Sequence, residues 1–146
     1  MKSVIWRWTI PFTVLVALIV AACGGGTQAV NPIQLAPESV LPPDLRAAPS
    51  EVREAYRFAI ANPALLSAIP CYCGCGAQGH RSNLDCYVKE IGPDGSIVFE
   101  PHAALCSICI DITRDAMRLY SEGKPVAGIK AYIDQTYSRY GPSNMP

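Results

Sequence analysis

Beyond Cys23, the 146-residue chain holds six cysteines in three short groups, and these are the residues whose types and spacing could do chemistry. Cys71, Cys73 and Cys75 fall within Pro70-Cys71-Tyr72-Cys73-Gly74-Cys75-Gly76, Cys86 follows alone, and Cys106 and Cys109 stand three apart. Sulfur at this density either cross-links a chain or, as thiolate, holds a metal. A disulfide between cysteines two apart is badly strained, so each cysteine of the run needs a distant partner or a shared ion. In an extended backbone alternate side chains point to one side, so the three sulfurs could converge. Gly74 and Gly76 let the chain bend tightly around an ion.

Thiolate-rich sites select Cu(I), Zn(II) or an iron–sulfur cluster, and an oxidising compartment argues against the last. Zinc is satisfied by four ligands. Six sulfurs with His80, His102 and Met117 leave room for more than one copper ion, so copper is favoured over zinc. Taken alone, His80 and His102 read as solvated loop residues, and their place beside the cysteine groups is what makes them candidate ligands. Met117 shares a helix face with Cys109 and Thr113 and reads first as core. Two alternatives stay open. Three disulfides joining Cys71, Cys73 and Cys75 to Cys86, Cys106 and Cys109 would each stabilise the domain by ~2–4 kcal/mol. Cys106-x-x-Cys109 is also the spacing of a redox pair, although its expected place a turn inside a helix weakens that reading. Covalent haem is disfavoured because Ile110 stands where the attachment motif needs histidine.

The elements that must position these groups are legible from periodicity. Ser50 is placed to cap a helix starting at Glu51, whose stripe is Val52, Ala55, Tyr56, Ala59 and Ile60, and Asn62-Pro63 ends or kinks it. Cys86 to Ile91 and Ser96 to Phe99 read as strands joined by a turn at Gly92-Pro93-Asp94-Gly95. A long helix is expected from about Ala103 to Ser121, capped at Gly123, with Cys106 and Cys109 on one face. Pro125 suits the first turn of a last helix packed through Val126, Ile129, Ile133 and Tyr137. Asp111–Arg114 and Asp115–Arg118 fit a solvated helix face. The expected fold is small α+β, mainly helical, with about three helices and one β-hairpin around the cysteine-rich site.

The N-terminus reads as an export leader over residues 1–22: Lys2 and Arg7, an apolar stretch from Ile10 to Val20, then Ala21-Ala22-Cys23. That stretch is short for a membrane span, which needs ~20 residues. A lipid such as palmitate on Cys23, a flexible Gly/Pro-rich tether over 23–49, a domain over 50–141 and a tail over 142–146 follow from this reading. The expected location is the extracytoplasmic face of a membrane, with the membrane itself and a metal donor or acceptor protein as partners. The 12 basic and 12 acidic side chains form no basic field for nucleic acid. No Ser-His-Asp order, phosphate-cradling loop or zinc-protease motif is present, so no hydrolysis is expected.

Pro70-Cys71-Tyr72-Cys73-Gly74-Cys75-Gly76, followed by His80, Cys86 and Cys106-x-x-Cys109, resembles the bacterial family of PCYCGC-motif lipoproteins. The resemblance runs from about Ser50 to Tyr140, together with the lipoprotein-like start. It implies an extracytoplasmic lipoprotein and brings no reaction with it.

Overall fold

The computed structural model describes residues 30–145; the leader and Cys23 lie outside them. Along the chain come a one-turn helix α1 (Pro43–Arg46), α2 (Ser50–Ala61), a short α3 (Pro63–Leu66), strands β1 (Val88–Ile91) and β2 (Ile97–Phe99), α4 (Ser107–Ser121) and α5 (Val126–Tyr137). This is the expected small, mainly helical α+β fold, with α1 and α3 added to the three anticipated helices. No helix among the described residues is long and apolar enough to cross a membrane.

Helix α2 buries Val52, Ala55, Tyr56 and Ala59 as the periodicity predicts, with Phe58 buried in place of Ile60, which is half-covered. Ser50 is the first helical residue rather than the cap: Pro49 occupies the cap position, and the Ser50 hydroxyl bonds the Glu51 carboxylate at 3.2 Å. Opposite it, α4 buries Cys109, Ile110, Ile112, Thr113, Ala116, Met117 and Leu119, and α5 buries Ile129, Ile133 and Tyr137. Met117 is therefore core, and Val126 lies exposed at the start of α5. Each fully buried aliphatic or phenyl side chain, such as Phe58, Ile112 or Ile133, contributes ~1.5–3 kcal/mol.

Helix α4 ends as its glycine predicts. Gly123 N–H donates to the Tyr120 carbonyl and Lys124 N–H to the Leu119 carbonyl, both at 3.0 Å, the paired bonds of a Schellman cap. The hairpin also forms where expected, closed by Gly95 N–H to the Gly92 carbonyl at 3.0 Å. Its strands are shorter than anticipated because Leu84–Cys86 is a 3-10 turn, which leaves Cys86 before β1 rather than in it. Of the two anticipated ion pairs on α4, Asp115–Arg118 forms at 3.0 Å. The anticipated Asp111–Arg114 pair is not made, and Arg118 reaches Glu122 instead.

The tether expected over 23–49 needs correction in its second half. Leu41 and Leu45 are buried in the core, Ala36 and Arg57 exchange bonds of 3.0 Å and 2.6 Å, and Asn31 reaches the Tyr120 carbonyl at 2.9 Å. Its prolines look like marks of a loose linker. Here Pro37, Pro42 and Pro49 each stand at the cap of a short turn or helix, where a fixed φ and a missing N–H cost nothing.

Candidate metal centre

The Cys71–Cys75 run does not stay extended. It bends at Gly74, whose φ of +83° is left-handed, then enters a 3-10 turn over Cys75–Gln78 that Gly79 closes at φ +90°. A side chain at either position would strain the backbone, so both glycines shape the loop. Gly76, expected to share this role, instead lies against Asn144 near the C-terminus.

The second correction concerns the Cys106/Cys109 pair. Residues His102–Leu105 form a separate 3-10 turn, and Cys106 is extended at the cap of α4, not inside it. Cys109 thus lies in the first turn of α4, where the positive helix end favours thiolate. Cys106 is half-exposed beside Leu105, which is 91% exposed, whereas Cys109 is fully buried.

All eight predicted site residues converge. Cys73, His102, Cys106 and Cys109 form one set whose ligand atoms lie within 4.8 Å of one another; Cys75, His80, Cys86 and His102 form a second, Cys71, Cys73 and Cys75 a third, and Cys71, Cys86 and Cys109 a fourth. Cys71 Sγ lies 3.4 Å from Cys73 Sγ and 3.6 Å from Cys109 Sγ, Cys73–Cys109 and Cys75–Cys86 are each 3.6 Å, and His102 Nε2 is 3.4 Å from Cys73 Sγ. These sulfurs are not at bonding distance and all six cysteines are free thiols. For a metal–sulfur bond of about 2.3 Å, tetrahedral ligation sets neighbouring sulfurs about 3.8 Å apart, close to the spacing seen. The Cys and His groups could hold a metal ion.

Without a metal, one thiol yields its proton at the expense of the others. Hydrogen bonds from Cys109 and Cys86 draw the Cys71 thiol well down. Cys73 and Cys75 are pushed up by burial and then by the charge on Cys71. Cys109 rises through its bonds to Cys71 and Cys86 and through burial. Cys86 is favoured as thiolate by Cys109, but its bond to Cys71, burial and the charge on Cys71 outweigh this and raise it. A bound cation would stabilise the thiolates that burial disfavours.

Around the ligands lies a shell that sequence reading missed. His80 Nδ1 is buried with no hydrogen-bond partner, while Nε2 faces the Glu100 carboxylate at 3.9 Å. A ring nitrogen without a partner, with a carboxylate facing the other, leaves the imidazole a donor atom to spare for an ion. Glu100 also accepts from His102 N–H at 3.1 Å and pairs with Lys89 at 3.2 Å. Tyr56 fastens this segment to α2: its hydroxyl donates to the Glu100 carbonyl at 2.6 Å and accepts from Ala104 N–H at 3.3 Å.

Beneath Cys109 sits a buried polar chain. Tyr87 OH is 2.8 Å from the Cys109 carbonyl and 2.6 Å from Thr113 Oγ1, and Thr113 Oγ1 donates to Asn83 Oδ1 at 2.6 Å. The Asn83 amide donates back to the Cys109 carbonyl at 3.4 Å. Such a buried network stands only when its members are satisfied together.

The expected free tail also needs correction. Cys71 N–H donates to Asn144 Oδ1 at 2.7 Å and Asn144 N–H to the Cys71 carbonyl at 3.0 Å, while Asn144 Nδ2 donates to the Ser82 carbonyl at 3.0 Å and reaches Cys75 Sγ at 3.5 Å. A polar five-residue end carries no periodicity, so nothing local marks it as a strap across the loop. Asn144→Ala is expected to loosen the Cys71–Cys75 loop. Amide exchange at Cys71 and its neighbours should quicken about 5- to 150-fold for the loss of ~1–3 kcal/mol of satisfied polar groups. Unchanged exchange would show that the strap holds nothing.

No curated protein and no solved structure shows a match to the chain. The pattern of one family, described as a protein of unknown function with PCYCGC motif, matches residues 12–146, reaching past the cysteine-rich part at both ends. With that match spanning nearly all of its length, the chain belongs to the PCYCGC-motif family.

Proposed function

We propose that the protein binds a soft metal ion, Cu(I) or Zn(II), through its clustered thiolates and imidazoles, to store, sense or hand over that ion outside a membrane. The observation that carries this reading is the convergence of six cysteines and two histidines into four sets whose ligand atoms lie within 4.8 Å of one another, with His80 Nδ1 buried and without a hydrogen-bond partner. A buried ring nitrogen without a partner is costly in an apo protein and becomes satisfied when it ligates. Copper is favoured because two of the four sets hold three sulfurs and no fourth donor, whereas a structural zinc takes four. Half-exposed Cys106 is the ligand through which a donor or acceptor protein would exchange the ion.

The full chain, purified reduced and given one equivalent of Cu(I) or Zn(II), is expected to retain it against a weak chelator; loss of both ions to the chelator rejects the reading. Retention should weaken as pH falls, since each thiol that ligates must first lose a proton. In a competition titration over one pH unit, affinity is expected to change by up to about tenfold for each proton released.

Anchoring by a lipid on Cys23 is part of the same proposal. The sequence Val20-Ala21-Ala22-Cys23 after an apolar leader supports it. Labelled palmitate should enter the wild-type chain and not Cys23→Ala, which should also leave the membrane fraction. Equal labelling of both would dismiss the anchor.

One observation favours a second reading, thiol–disulfide exchange. Cys106 caps α4 and Cys109 lies in its first turn, the spacing and helix position of a redox pair. That reading requires Cys106 to alkylate far faster than an ordinary thiol at neutral pH; an ordinary rate removes it.

A further inference from the structure

On the reading of the cluster as a metal site, on which this rests, we infer that it is a cage for four Cu(I) ions, in which Cys71, Cys73, Cys75, Cys86 and Cys109 each bridge two ions. The four ligand sets are not independent. Cys71 is shared by the two all-sulfur sets; Cys73 and Cys75 join the Cys71/Cys73/Cys75 set to the two histidine-containing sets, and Cys109 and Cys86 join the Cys71/Cys86/Cys109 set to the same two. His102 is common to the two histidine-containing sets. Every pair of sets therefore shares one residue, and shares it once. That is the connectivity of a tetrahedron, with an ion position at each corner and a shared ligand along each edge.

The chemistry fits the connectivity. A thiolate sulfur has lone pairs for two metals, so the five cysteine edges can all be bridges. His102 offers one nitrogen at a time and serves as an extra donor to one corner. Cys106 and His80 each belong to a single set, so they act as terminal ligands. Each corner thus keeps three donors without His102: Cys73, Cys106 and Cys109; Cys75, His80 and Cys86; Cys71, Cys73 and Cys75; Cys71, Cys86 and Cys109. Three soft donors satisfy Cu(I).

Zinc, which seeks four ligands, would be completed only at the two histidine-containing corners, and Cys71 belongs to neither. Yet Cys71 is fully buried and sits 3.4 Å and 3.6 Å from its neighbours' sulfurs, a position with no purpose in a two-zinc site. Four monovalent cations also offset most of the charge of six thiolates, which a buried cluster requires. About a 2.3 Å metal–sulfur bond in a trigonal site sets sulfurs about 4.0 Å apart, so the observed separations need to widen only slightly.

The test is an anaerobic Cu(I) titration of the reduced full chain against a competing chelator, with bound ions counted by native mass spectrometry and metal–metal contacts read by X-ray absorption. The wild type is expected to fill to four ions with a short copper–copper scattering shell. Cys71→Ser removes the edge joining the two all-sulfur corners and should lower the plateau from four to two. Cys106→Ser removes a terminal donor that His102 can replace, and should keep four. A wild-type plateau below four, or no copper–copper shell, overturns the cage while leaving metal binding intact. Failure to retain any ion overturns both. If Cys71→Ser does not fold, judged by circular dichroism, the wild-type count and the Cys106→Ser count still decide.

Discussion

Cys109→Ser is expected to weaken metal retention roughly 100-fold or more. Removing a supporting contact alone typically costs about 10–100-fold, and here the ligand itself goes. Cys109 belongs to two of the four donor sets, its sulfur lies 3.6 Å from both Cys71 and Cys73, and it is fully buried. Serine keeps the shape but offers a hard hydroxyl that does not ionise near neutral pH, so two ion positions lose a sulfur together. Competition with a coloured chelator measures the change, and Cys23→Ala, outside the described residues, serves as the control. An affinity within about twofold of wild type would mean that the convergence of sulfurs is not a metal site.

Asn83→Ala is expected to destabilise the metal-free protein by ~2–4 kcal/mol, lowering its Tm by roughly 10 °C or more. Asn83 is fully buried, its N–H donates to the Ile69 carbonyl at 2.7 Å, and its side chain accepts from Thr113 and donates to the Cys109 carbonyl. Alanine removes two buried hydrogen bonds, to Thr113 and to the Cys109 carbonyl, and leaves a cavity beside Thr113, and both losses destabilise the fold. Because the chain supports the first turn of α4, the backbone of Cys109 should shift with it. Saturating metal should restore part of the lost stability, since a ligand that binds only the folded state stabilises by mass action. Thermal denaturation with and without metal reads both effects. A Tm within about 2 °C of wild type would show that the network contributes little.

Residue type and spacing alone named the residues that cluster in the fold. Cysteine has few uses at this density, so all eight proposed ligands were named from sequence, and all eight meet in the fold. The main helices and the hairpin were legible for a similar reason: α2 and α5 carry apolar stripes at helical period, and Gly92-Pro93-Asp94-Gly95 encodes its turn locally.

Local pattern gave no access to relations between distant residues. Asn144 and Cys71 are 73 positions apart, and Asn83 and Thr113 are 30 apart, so nothing in either neighbourhood announces the bond. His80 and Glu100 are 20 positions apart, and only the fold sets them side by side. The stretch from Asn31 to Pro49 read as tether because it is rich in proline and poor in residues that build a packed face, while the core that receives Leu41 and Leu45 is built by α2 and its neighbours later in the chain. Sequence supplied the sulfurs; only the tertiary structure, by closing the first turn of α4 over the Gly74 bend, made them share neighbours, because a ligand's sharing depends on distances in space that no spacing along the chain encodes.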